Sequence, residues 1–181
     1  LEPPQHARRL YILVLLPALG GLLSGLLVWR WAPEAQGPGT GAVISAFHNH
    51  RGMVRLVVAP VKALATILTL ATGGAAGREG PVMQIGASLG SWIGQRLGLS
   101  AAQRRILLLA GCAGGLGAIF RAPLGGAVTS VEVLYREDFE SDALIPCVTA
   151  SIVAYAVYMG VFGFSHMFRL PEILFTDLRE L

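Results

Sequence analysis

The residues best equipped for chemistry in this 181-residue chain sit in two glycine-rich breaks, Gly37-Pro38-Gly39-Thr40-Gly41 and Gly77-Arg78-Glu79-Gly80-Pro81. Each break precedes a short or restarting apolar run, so each is read as the opening of a helix. The first N–H groups of a helix lack partners within it and the helix dipole is positive there, which makes such an opening a candidate anion site. A carboxylate in the same place, Glu79, would be held by those N–H groups as an anion would, and so is suited to plug an anion site. A helix-start acid paired with Arg78 is the plainer explanation, yet an ionisable group inside a membrane segment is functional by default. Arg78 either supplies positive potential beside such a path or snorkels away from it. Lys62, the only lysine, stands inside an apolar run under the same alternatives.

The elements that must carry these breaks are strongly apolar. Hydrophobic residues make up 54% and charged residues 14% of the chain, against roughly a quarter charged in globular domains. Runs over 10–31, 56–70 and 144–161 carry few charges, and the longest meets the ~20 residues needed to span hydrocarbon. No barrel-like alternation is visible, so the expected spans are helical. They are 7–31, containing Pro17, Gly20, Gly21 and Gly25; a short helix over 42–48; 55–72; a helix with Pro81 at its first position; 101–120; a restart after Pro123 toward Glu132; and 143–161. Gly86, Gly90, Gly94 and Gly98 recur every fourth residue and lay one bare helix face open to another backbone. Interrupted helices whose half-helix starts converge on an anion are a transporter's device.

Other function classes are excluded. The net charge of +3 rests on arginines at segment ends, such as Arg8, Arg9, Arg30, Arg51, Arg55, Arg104 and Arg105, so nucleic acid is not an expected partner. Cys112 and Cys147 lie in apolar segments without metal-ligand spacing and are read as buried structural thiols. His6, His48, His50 and His166 show no HExxH pattern, and no GxSxG motif occurs. Neither an enzyme, a cofactor nor a metal is expected. The two loop histidines, His48 and His50, are read as surface residues rather than pH sensors. There is no internal repeat, and a start at Leu1 without Met reads as a piece cut from a longer protein.

Gly77-Arg78-Glu79-Gly80-Pro81, followed by Val82-Met83-Gln84-Ile85-Gly86, resembles the GREGP signature of the CLC chloride channel and antiporter family. Gly117-Ala118-Ile119-Phe120-Arg121-Ala122-Pro123-Leu124-Gly125-Gly126 continues with that family's GxxAxFxAPxxG pattern, in the right order. The resemblance implies an all-α polytopic membrane protein of tilted and interrupted helices, with residues 1–181 forming the N-terminal portion of the pore domain, one half of its inverted repeat. It implies that Glu79 is the gate, that the backbone N–H of Gly80 coordinates anion, and that Gly37, Pro38, Gly39 and Thr40 form the loop at the central anion. A homodimer in the cell membrane is implied too, with contacts over 124–133 and 144–158 that the small residues Ala150, Ser151 and Ala154 suit.

Two positions depart from the family pattern. Pro38 replaces the serine whose hydroxyl usually coordinates the central anion, as in members that prefer nitrate. Thr40 is left either to offer a substitute hydroxyl or, as the favoured reading, to cap the short helix. Val133 stands where antiporters carry the internal proton-transfer glutamate, next to Glu132, and valine cannot relay a proton. Glu137, Asp138, Glu140 and Asp142 are read as a solvated loop rather than a substitute proton route. The expectation is therefore voltage-gated transport of chloride or nitrate through a glutamate gate, more channel-like than proton-coupled. A chloride/proton antiporter and a non-conducting accessory fragment are the alternatives.

Overall fold

The computed structural model describes residues 5–134 and 141–163; Glu137, Asp138, Glu140 and His166 fall outside the described residues. Among these residues there are seven α-helices and no strand, so the all-α expectation holds. They are α1 (Gln5–Trp31), α2 (Thr40–His48), α3 (Val58–Ala71), α4 (Glu79–Arg96), α5 (Ala101–Phe120), α6 (Pro123–Leu134) and α7 (Ser141–Phe162), with a single 3-10 turn at Pro33–Ala35.

Helix α5 is the hub. A capping box starts it: the Ser100 hydroxyl accepts from the Gln103 N–H, and the Gln103 side chain accepts from the Ser100 N–H. Its Leu108, Leu109, Cys112, Ala113 and Leu116 then meet α4, α6 and α7 in one buried core, with Met83, Ala127, Val131 and Cys147 from those neighbours. Both cysteines are buried free thiols, as their apolar surroundings predict.

The glycine face of α4 brings α4 and α5 into backbone contact. A β-carbon on Gly86 would collide with the carbonyl oxygen of Gly111, one on Gly111 with that of Gly86, and one on Gly90 with that of Leu107. Gly98 does not continue this face. It ends the helix at φ +65°, where its N–H donates to Gln95 O at 3.2 Å and the Leu99 N–H to Gly94 O at 3.0 Å.

A second small-residue contact joins α5 to α7. Gly114 faces Ala150 O and Ala154 Cβ, each 3.5 Å from where its β-carbon would stand, and Gly117 abuts Ser151. The Ser151 hydroxyl is fully buried and donates to Pro123 O at 2.7 Å, tying α7 to the start of α6. Of the residues expected on a dimer interface, Ser151 is buried within the chain, while Ala150 and Ala154 stay partly exposed beside Gly114. The close approach that small residues permit is already used by α5.

Helix α1 packs on α3 and the 3-10 turn, where Thr69 donates to the Ser24 hydroxyl at 3.2 Å. The rest of its surface is apolar and open, with Leu13 70% exposed. Tyr11–Trp31 and Asp142–Phe162 are long and apolar enough to cross a membrane, and Val58–Ala71 is apolar but shorter.

Candidate functional site

The two glycine-rich breaks meet. Helix α2 has 9 residues, a length of about 14 Å at ~1.5 Å per residue, less than half of a ~30 Å hydrocarbon core. Its start and that of α4 open on the same cavity of about 770 Å³, walled by Gly37, Pro38, Thr40, Glu79 and Gly80, with Lys62 reaching it from α3. Two helix N-termini, each with unpaired N–H groups and a positive dipole end, therefore face one space.

Contact between the breaks is direct. A β-carbon on Gly80 would collide with the Pro38 carbonyl oxygen, and one on Gly39 would stand 2.5 Å from Gly80 O. Gly39 is also the residue before α2, at φ +109°, a conformation that L side chains rarely adopt. Thr40 follows it as the first helical residue, and α2 has no side-chain cap. Thr40 therefore does not cap the helix; its hydroxyl lies on the cavity wall, 3.2 Å from where a Gly80 β-carbon would be. The capping reading failed because a glycine took the non-helical position that a capping side chain needs.

Helix α4 starts at Glu79, two residues earlier than expected, which makes Pro81 the third helical residue. Proline costs nothing there, because the first four N–H groups of a helix have no intrahelical acceptor. The Glu79 carboxylate bends back over the preceding glycine, with Oε2 2.5 Å from where a Gly77 β-carbon would stand. Only a glycine leaves room for that arrangement.

The loop between α1 and α2 is pinned by side chains of α3 and α4. The Lys62 amine, 4% exposed, donates to Ala35 O at 2.9 Å and Gly37 O at 2.5 Å. The Gln84 side-chain amide donates to Glu34 O at 2.8 Å. At the loop's outer edge both guanidinium nitrogens of Arg55 engaged there donate to the Glu34 carboxylate, Nη2 to Oε2 at 2.7 Å. That hydrogen bond holds the Glu34 carboxyl below its ordinary value, against the smaller opposing effect of burial.

Gly37, Pro38, Thr40, Glu79 and Gly80 are thus brought together, with Gly39 directly behind them; Arg78, the residue preceding α4, is exposed and does not line the cavity. Val133 and Glu132 are exposed near the end of α6 and do not line this cavity. No group of three or more potential metal ligands occurs among the described residues.

A family model described as "Voltage gated chloride channel" matches residues 20–181. The chain belongs to the CLC family of voltage-gated chloride channels. Its relatives carry different names. It is 33% identical over 163 residues to an uncharacterized protein of Methanocaldococcus jannaschii, covering 87% of this chain and 39% of that protein. It is 31% identical over 144 residues to a chloride/fluoride channel protein of Pseudomonas syringae pv. tomato (80% of this chain, 31% of the relative). It is 33% identical over 171 residues to the H(+)/Cl(-) exchange transporter ClcA of Vibrio parahaemolyticus (93% and 36%). The chain thus spans between 31% and 39% of the length of these CLC relatives.

Gln84 stands next to this wall without lining the cavity, and the sequence alone assigns it no role. The signal was present: a large amide stands among Val82, Met83, Ile85 and Gly86 in an apolar helix. A buried amide needs a partner, and its partner is the loop that carries Pro38.

Proposed function

We propose that this chain forms one half of an anion pathway in a multi-pass protein of the cell membrane, transporting chloride or nitrate past a gate made by Glu79. The observation that carries the reading is the convergence of the α2 and α4 starts on one cavity, with the carboxylate of Glu79 on its wall. An anion there would meet unpaired N–H groups from both helices, those of Gly80 and Thr40 foremost, in place of its hydration shell. The Glu79 carboxylate competes for the same donors. Protonation removes its charge, so it yields the site to the anion when the external solution is acid. Gly37, Pro38 and Gly39 shape the loop, and Arg78 adds positive potential next to the gate in the chain.

The same proposal places transport on the channel-like side of the family. Val133 has neither a lone pair nor an exchangeable proton, so the α6 end offers no relay at that position. A proton antiporter is the competing reading, and the name of the Vibrio relative motivates it. The proposed protein is a homodimer in the lipid bilayer. Since Ser151 is buried within the chain, its contact uses the outer faces of α6 and α7, where Leu124, Val128, Ile152 and Val153 are exposed.

The deciding experiment replaces Glu79 with Gln in the full-length protein and records anion flux in reconstituted vesicles. Flux that no longer responds to external pH is expected. An unchanged pH dependence rules out the gate.

A further inference from the structure

We propose that Gln84 is a positioning residue that sets the anion selectivity of this site, by fixing the backbone of the loop over 34–39 from the side away from the cavity. This rests on the anion-pathway reading above and extends it to a residue that touches no anion.

The geometry is a two-point hold. From α4, the Gln84 amide N–H donates to Glu34 O at 2.8 Å. The other end of the same amide, Oε1, faces Gly39, 3.2 Å from where a β-carbon on that glycine would stand. Gln84 therefore grips the first residue of the loop and abuts the last. Lys62 holds the middle from α3 through Ala35 O and Gly37 O. Three loop carbonyls, those of 34, 35 and 37, are drawn to buried donors on α3 and α4.

That matters for an anion because a peptide group is a dipole. A carbonyl oxygen turned into the cavity would repel chloride, and each of these three is held on a donor instead; the N–H groups of the same peptides are taken up by Ala32 O and Pro33 O or absent at Pro38, so the gain is a carbonyl kept from the anion, not an added N–H donor. Gln84 is 2% exposed, and its Oε1 is buried without a hydrogen-bond partner. The amide orientation is fixed nonetheless, since only the NH2 end can donate to Glu34 O. An unsatisfied buried acceptor is a cost that a packed helix would shed by carrying leucine or methionine here. Its retention beside Gly39 is explained by the hold on the loop.

A rigid loop favours chloride over larger, more weakly hydrated anions, because a small ion gains from donors that do not give way. Loosening it shifts preference toward nitrate.

The test uses the full-length protein in lipid vesicles, with chloride and nitrate as probes, and two variants of similar shape. Gln84→Met removes both ends of the hold. Gln84→Leu removes both with a branched side chain of similar volume. In both, the nitrate-to-chloride flux ratio should rise at least threefold at an unchanged thermal midpoint, and Gln84→Asn should not reproduce the native ratio because it is one methylene too short. Amide exchange of residues 36–41 should accelerate tenfold or more in Gln84→Met. An unchanged ratio in a variant with the native midpoint overturns the selectivity role, and unchanged exchange overturns the hold. If the unmodified protein carries no anion at all, the pathway reading fails on that result, while the exchange measurement still decides Gln84.

Discussion

Gly80 and Pro38 touch backbone to backbone: a β-carbon on Gly80 would enter the carbonyl oxygen of Pro38. Two segments separated by more than forty residues in the chain are thereby locked into one wall. Gly80→Ala must push them apart, and overpacking of this kind costs about 1–3 kcal/mol. Lower thermal stability in detergent and a loss of most anion flux are expected together. Gly77→Ala offers the contrast, since the added carbon meets only the Glu79 carboxylate, 2.5 Å away, and a side chain can move. It should leave stability alone and alter the pH response of flux. Equal stability losses in the two variants would contradict this division.

The glycines of α4 share a spacing and differ in role. Gly86 lies against the backbone of Gly111, so Gly86→Ala forces α4 and α5 apart at the centre of the core. Gly98 faces open space, and Gly98→Ala suffers only the left-handed backbone penalty of about 1–2 kcal/mol. The first variant should lose clearly more stability than the second in a denaturation series. The opposite ranking would mean that helix termination, not packing, is the main use of these glycines.

How far the sequence could be read follows from where the information lies. Helix identity and the two breaks were legible because apolar runs and Gly/Pro punctuation are local signals, and the GREGP and APLGG segments fixed their order. That Gly37–Thr40 and Glu79–Gly80 would share a cavity was legible only through the family resemblance. The partner of Ser151 was not legible. A small-residue stripe marks close approach without saying to what, and here Gly114 and Gly117 of the same chain meet it. Thr40 resembles a cap in the sequence for a related reason: the cap is decided by backbone angles at Gly39, which composition does not reveal. The partner of Gln84 was not legible either, because it is a carbonyl fifty residues away.

The α5–α7 contact makes a labelling prediction. Ser151 is fully buried, whereas Ile152 is 48% exposed. In a background where Cys112 and Cys147 are replaced by Ala or Ser, a cysteine at 152 should cross-link or, in detergent, react with maleimide, and one at 151 should stay inert. Ser151→Ala should also cost roughly 0.6–2 kcal/mol, the range for interhelical hydrogen bonds in membranes. Efficient cross-linking through residue 151 would place Ser151 on the dimer contact.

The Glu34–Arg55 pair makes a pH prediction whose sign follows from the direction of the shift. Arg55 holds the Glu34 carboxyl below its ordinary value of 4.5. A carboxyl lowered in the folded state contributes stability above the unfolded value, and that contribution disappears as pH falls through the folded one. Glu34→Gln should therefore lower the unfolding midpoint slightly at pH 7 and make no difference well below pH 4.5. The effect should be small, at most about 1 kcal/mol, because the pair is solvent-screened, with side chains 60% and 38% exposed. A difference that grows on acidification would mean that Glu34 is not held by Arg55 in the folded protein.

If the cavity is the proposed anion site, its ligands include whichever hydroxyl is present there. Pro38 supplies none, and the Thr40 hydroxyl stands on the same wall, close to Gly80. Chloride, small and costly to desolvate, depends more on a fixed O–H donor than nitrate does. Thr40→Val keeps the shape of the side chain and removes its hydroxyl, so chloride flux should fall more than nitrate flux. Pro38→Ser adds a hydroxyl and should move preference toward chloride, and it should rescue Thr40→Val in the double variant. Neither change touches the α6 end, so simultaneous recording of proton flux should show no new coupling in any of the three; only Val133→Glu is expected to introduce one. A Thr40→Val protein with native rates for both anions would show that its hydroxyl is not a ligand. Tight fixed-ratio proton exchange by the unmodified protein would show that Val133 is not the missing relay.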